Sequence, residues 1–268
     1  MFSQDPPPDE SLEKLKELAD FYNWPGKSGA IRAGANLAKY TIPELEGAPI
    51  THHYSNPSFW RVDNKINIKR AHTYIFTDTD LIHIHLTVSE TCEGAHEYYI
   101  RRLYVSSLPF EVKVPPGDST KIIGDISFYG ARHFIRNNIA VEFTPEGELI
   151  NKLVTIASQL DSILLMCPTA VSADPFKPVI EKFDIARNTV KPQSYAKLFI
   201  EARDPLGEGL TYKWEMTNGG IDVRDTGEYF YYSSYDEKQD TLTLHVINEA
   251  GFLSSAELII TVSNSTGF

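Results

Sequence analysis

The chain lacks most of the signatures by which enzymes declare themselves. It has no Gly-x-Ser-x-Gly elbow, no His-Glu-x-x-His, no phosphate-cradling glycine loop and no dinucleotide fingerprint. It has two cysteines, Cys92 and Cys167, too few for a disulfide scaffold and without metal-ligand spacing. They could form one bridge, but two buried thiols are the commoner outcome, and Cys92, which begins an apolar stripe, reads as packed or bridged rather than as a nucleophile. No run of about eighteen apolar residues is present, so no membrane insertion is expected. Basic residues are also short: 25 against 36 acidic ones, a formal charge of −11. That sign repels phosphate backbones and anionic headgroups, which disfavours nucleic acid as a partner.

What is present is a soluble globular composition, 42% hydrophobic and 23% charged, over 268 residues. That length suits one large domain or two ordinary ones. Residues 1–10 are acidic and proline-rich, unlike a signal peptide, and read as an extended lead. From 11 to 167 the pattern alternates between helical and strand periods. Ser11 can cap a helix with Leu12, Leu15, Leu18 and Tyr22 on one stripe. A hairpin is expected about Asp78-Thr79-Asp80, with Ile82, Ile84, Leu86 and Val88 on one face and Leu81, His83, His85 and Thr87 on the other. Ser89 can cap a second helix with Cys92, Ala95, Tyr99 and Leu103 at core spacing. A further hairpin pairs Lys121–Phe128 with Phe134–Phe143. Thr144-Pro145 then opens a third helix carrying Leu149, Leu153, Ile156, Leu160 and Ile163 on one face. The expected class for 11–167 is α+β, an antiparallel sheet with helices on one face.

Residues 168–178, with three prolines, read as a linker. From 179 to 263 the pattern turns to strands only, the mark of an all-β sandwich. Here Asp204-Pro205-Leu206-Gly207 followed by Leu210-Thr211-Tyr212-Lys213-Trp214 resembles the B–C turn and C strand of bacterial Ig-like modules of the PKD and cadherin-like kind. Asp240 to Gly251 resembles their F strand and F–G turn, and Ala256 to Val262 their closing G strand. The sequence departs from the PKD pattern at Glu215-Met216-Thr217-Asn218-Gly219-Gly220. The resemblance implies that Trp214 packs between the sheets. It also implies a spacer, docking or adhesion role outside the cytoplasm, in a periplasmic, secreted or surface protein.

Three sets of residues could carry chemistry. His83 and His85 project from one strand face, with His72 on the partner strand, and two imidazoles there could share a zinc ion. Exposed polar side chains are the plainer reading of that face. Asp204 and Glu208, with Asp222 and Asp225, offer hard oxygen ligands for calcium, although acidic turns are usually just solvated. The run Tyr229-Phe230-Tyr231-Tyr232, with Tyr235, could stack on a sugar or a protein partner; Tyr229, Tyr231 and Tyr235 are its candidate ligand-binding residues. The plainer alternative is aromatic β propensity. No resident cofactor is expected. A non-enzymatic binding or structural protein leads; the rivals are a metal-dependent enzyme built on His83 and His85, and a carbohydrate-binding accessory protein.

Overall fold

A computed structural model describes residues 9–40, 42–45, 51–54, 57–62, 65–75, 79–105, 123–128 and 131–264. The chain divides into two compact units, residues 1–175 and 176–268.

In the first unit, α1 (Asp9–Leu18) is followed by short β1 (Ile31–Arg32), β2 (Thr51–Tyr54), β3 (Ser58–Val62), β4 (Lys65–Ile75) and β5 (Leu81–Val88). Then come α2 (Cys92–Val105), β6 (Ile126–Phe128), β7 (His133–Arg136), β8 (Ile139–Pro145), α3 (Leu149–Met166) and β9 (Thr169–Ala170). Strands run in the order β2-β4-β5-β8-β7-β6, all antiparallel, with β3 also pairing β4. The α+β class expected from alternation is what the chain adopts. The β4–β5 hairpin closes where expected, Ile75 opposite Leu81.

The helices are divided between the two faces of the sheet rather than gathered on one. Residues of α1 and α2, among them Leu12, Leu15, Tyr99 and Leu103, share a core with Ile135 and Ala140. On α3, Asp161 grips Arg136, which points from the opposite face to its neighbour Ile135. Consequently β5 is buried on alternate residues at its start and on every residue from Leu86 to Val88.

Four local expectations are corrected. The α1 stripe ends early, because the helix stops at Leu18: Leu12 and Leu15 are buried, whereas Leu18 and Tyr22 are exposed, and Ala19 and Phe21 take their place in the core. Thr91 rather than Ser89 caps α2, its hydroxyl accepting from the Gly94 N–H, while Ser89 hydrogen-bonds Asn67. The apolar run Phe134–Phe143 is two strands, broken at Asn137, whose φ of 54° makes the tight turn into β8. Pro145 ends β8 instead of opening α3, because Gly147 at φ 62° must redirect the chain first. The α3 stripe itself is buried as its period requires. Arg32 closes that helix, its Nη1 donating at 3.0 Å to the carbonyls of Leu164, Leu165 and Cys167. The stretch 168–178 includes β9, paired with β1, and the buried Phe176.

The second unit is all-β. Its strands are β10 (Val179–Ile185), β11 (Thr189–Val190), β12 (Tyr195–Arg203), β13 (Leu210–Met216), β14 (Gly220–Val223), β15 (Tyr229–Tyr232), β16 (Gln239–Asn248) and β17 (Leu253–Val262). They form two four-stranded sheets, β10-β12-β15-β14 and β11-β17-β16-β13. Every pairing is antiparallel except β11 with β17. Ile185, Leu198, Tyr231, Leu242 and Ile260 are the buried centre between them. Trp214, expected at that centre, is only partly buried and flanks it, against Phe183 and Tyr229 at centroid distances of 5.9 and 5.5 Å. The central ring is Tyr231, fully buried, its hydroxyl donating to Asp240 at 2.8 Å.

Candidate functional site

The β4–β5–β8–β7 register decides what the histidines can do. His83 lies opposite Thr73 and Thr144, and His85 opposite Ala71 and Glu142, which in turn faces His133. His72 pairs with Ile84 and so has the opposite parity to His83 and His85. The register therefore brings His83 and His85 to one face and leaves His72 out of their row. Among the described residues no three His, Cys, Asp or Glu side chains gather as a metal site.

His83 is tied to its neighbour by a 2.8 Å hydrogen bond between Nδ1 and the Thr73 hydroxyl. His85 belongs to a charged group that sequence reasoning missed. Its Nδ1 lies 3.7 Å from Glu142 Oε2, an ion-pair distance too long for a hydrogen bond. Lys69 Nζ lies 3.9 Å from the same oxygen, and Arg102, from α2, reaches Oε1 with Nη2 at 3.2 Å. These side chains are partly covered, with exposures between 18% and 29%. Burial alone would raise the Glu142 carboxyl. Contact with His85 and the charges of Arg102 and Lys69 outweigh it and hold the acid well below its ordinary range. Burial also pushes Lys69 down, against the pull of Glu142, and pushes His133 down to about 4. His133 is therefore neutral near pH 7, its ring 5.5 Å from that of Tyr99. With the basic groups of Lys69 and Arg102 beside its single carboxylate, this cluster is a poor seat for a divalent metal.

Cys92 and Cys167 are buried and are not joined in a disulfide. Burial raises the Cys92 thiol, and this opposes nucleophilic use.

In the second unit the acidic turn is organised by its own backbone. Asp204 accepts from the Glu208 N–H at 2.7 Å through one oxygen and from Asn248 Nδ2 at 2.7 Å through the other. Both oxygens are occupied in closing the turn. Asp222 lies within β14, opposite Phe230, and Asp225 is exposed beyond it.

The aromatic run splits by strand parity. Tyr231 faces inward and is fully buried, so it is a core residue and not a stacking surface. Tyr229, also inward, is half-buried against Trp214 and Tyr212. Tyr235 is 75% exposed in the turn beyond β15. The outward residues are the ones passed over as candidates, Phe230 and Tyr232. They stand across from Lys197 and Tyr195 on β12, two residues from Phe199. The Tyr195 and Tyr232 rings are 4.8 Å apart and Tyr195 is 54% exposed. Arg224 lies 4.1 Å over Phe230, and Lys182 and Lys197 flank Phe199. Around the rings, Lys197 pairs with Glu228, Lys182 with Glu201 and Arg203 with Glu181. The neighbouring register partner, rather than the run alone, was the signal that could have found this face.

No protein family matches the chain, and no curated protein matches it. One solved structure with local similarity is a nucleoside hydrolase-related hypothetical protein from Saccharophagus degradans, associated with carbohydrate metabolism. Identity is 16%, over 46% of this chain and 35% of that one, with a TM-score of 0.26. At those values the likeness carries no argument about function.

Proposed function

We propose that the protein is an extracytoplasmic binding protein whose sandwich unit is an Ig-like docking module of the PKD and cadherin-like kind. The single observation that supports this is the outer face of the β10-β12-β15-β14 sheet, where Tyr195, Phe199, Phe230 and Tyr232 stand together. Four rings on the solvent side of one small sheet are more than β propensity needs, and aromatic faces with a polar rim are what recognition surfaces use. Because Lys182, Lys197 and Arg203 are already paired with Glu, and Arg224 lies over Phe230, the face carries little net charge. That suits a neutral, hydroxyl-rich ligand such as a glycan chain, whose sugar rings stack while the rim supplies hydrogen bonds.

The test is co-sedimentation of the full chain with insoluble cellulose and chitin, and affinity electrophoresis in xylan. Retention on at least one of these polysaccharides is expected, with its loss in a Tyr195→Ala, Tyr232→Ala double variant that keeps its melting temperature. Retention that survives the double substitution places the glycan elsewhere and overturns this use of the face.

A further inference from the structure

Gly219 and Gly220 lead into β14 together, and the fold accounts for only one of them. Gly219 has φ 57°, and a methyl on it would lie 2.6 Å from the Tyr232 carbonyl oxygen and 2.8 Å from the Tyr231 ring. Both the backbone and the packing there require glycine. Gly220 has neither reason. Its φ lies outside the left-handed region, and a methyl on it would meet no atom within 4 Å apart from its chain neighbours. Gly207 and Gly227 have the same open space, but φ of 72° and 78° explains them. Nor is there a bulge, because Gly220, Ile221, Asp222 and Val223 pair in unbroken register with Tyr232, Tyr231, Phe230 and Tyr229. Glycine weakens a strand, and it marks a bulge, a bend, or a place where another backbone or a ligand comes close. With bulge, bend and neighbouring backbone set aside, the ligand is left.

The vacant position is on the aromatic face. Tyr231 is fully buried, so its neighbour Tyr232 points outward, and Gly220 is the register partner of Tyr232. Tyr195, Tyr232 and Gly220 form one row across the strands, and Lys197, Phe230 and Asp222 form the next. The second row is charged, and Arg224 lies 4.1 Å over its ring. The first row bears no charge. Since β14 is the edge of its sheet, no further strand closes that row beyond Gly220.

We propose that Gly220 is the floor of the glycan site: a linear, neutral polysaccharide stacks on Tyr195 and Tyr232 and continues across β14, against the backbone where a side chain is missing. This rests on the glycan reading above and adds the direction of the bound chain, which crosses the strands instead of following β12 to Phe199. Three adjacent strands span about 10 Å, which gives the chain an extended contact rather than a single stacked ring.

The experiment measures binding isotherms of the full chain on whichever of cellulose, chitin and xylan retains the wild type. Gly220→Val is expected to bind about tenfold more weakly, the scale of misplaced methyl groups in a binding site. Its melting temperature is expected to be unchanged or higher, because valine is the better strand former and has less freedom when unfolded. Gly220→Ala is expected to fall between valine and wild type, and it decides the matter if the valine variant fails to fold. Val223→Thr, on the same strand and the opposite face, is expected to bind as the wild type does. Wild-type affinity in Gly220→Val, or in Gly220→Ala if the valine variant is unfolded, overturns the role of Gly220. If the Tyr195→Ala, Tyr232→Ala variant still loses binding in that case, the glycan reading stands without it. A wild type that none of the three polysaccharides retains overturns both.

Discussion

The two faces of the first unit's sheet carry two charged clusters built on opposite plans. On the α3 side, one cation meets two carboxylates. Arg136 donates to Asp161 at 2.7 and 2.6 Å and to Asp125 at 2.7 Å. The remaining acceptor capacity goes to backbone, Gly124 N–H to Asp161 and Asn137 N–H to Asp125. On the other side one carboxylate meets three basic groups at 3.2, 3.7 and 3.9 Å. The first cluster is closed, and its job is to fasten α3 and the Asn137 turn to the sheet. The second is more open: Arg102 is within hydrogen-bond reach of Glu142, while Lys69 and His85 stand off from it. Charges met at close range inside the fold contribute to holding it, and charges met at longer, partly solvated distances contribute less.

Breaking the closed cluster should have the largest effect. Asp161→Ala removes two of the three carboxylate contacts of the half-buried Arg136 guanidinium, leaving Asp125, and also removes the acceptor of Gly124, so a loss of about 3 kcal/mol is expected from urea unfolding. A loss under about 1 kcal/mol would contradict its structural role.

The acid dependence comes next, and it belongs to the open side. His133 is held neutral with its value near 4, while the unfolded chain protonates near the ordinary 6.5. Between those values the unfolded state binds more protons, so stability falls as pH falls, by up to about 3 kcal/mol across the window. Glu142, with its folded value depressed, contributes stability that is present above about pH 4.3 and is lost below it. His133→Phe should abolish the slope between about pH 6.5 and 4 while leaving the steeper loss below it. An unchanged slope in thermal melts across that range would show that another group carries it.

In the sandwich the corresponding comparison is between Trp214 and Tyr231. A flanking, half-buried Trp214 should cost about 2–3 kcal/mol when replaced by Ala, below the usual range for a fully buried ring. The smallest effect is expected from Tyr231→Phe, about 1 kcal/mol, from loss of the hydrogen bond to Asp240. If Trp214→Ala proves the costlier by 3 kcal/mol or more, the centre of the core lies nearer the tryptophan.

How much of this was legible in the sequence follows from what each feature depends on. Period alone placed the α3 stripe, the α2 core positions and the alternation of β5, since each is a local pattern. The break at Asn137 was hidden because two short strands joined by a two-residue turn read as one apolar run. Trp214 was overrated because a large ring on a strand says nothing of how close the strand lies to the sheet edge, and β13 is an edge strand. The shared face of His83 and His85 could be read, but their partners could not. Lys69 and Glu142 arrive through the β4–β5 and β5–β8 registers, and Arg102 through the packing of α2. In the same way, Phe230 and Tyr232 become a surface only once β12 brings Tyr195 beside them.

The most direct test of the contrast between the clusters is to make the open one apolar. In a Lys69→Met, Arg102→Met, Glu142→Leu variant, the stability from urea unfolding should be measured beside that of Asp161→Ala. Because apolar side chains replace partly buried ion pairs at little or no cost, stability should be unchanged or higher by about 1–2 kcal/mol. A triple variant destabilised by about 3 kcal/mol or more would contradict the account.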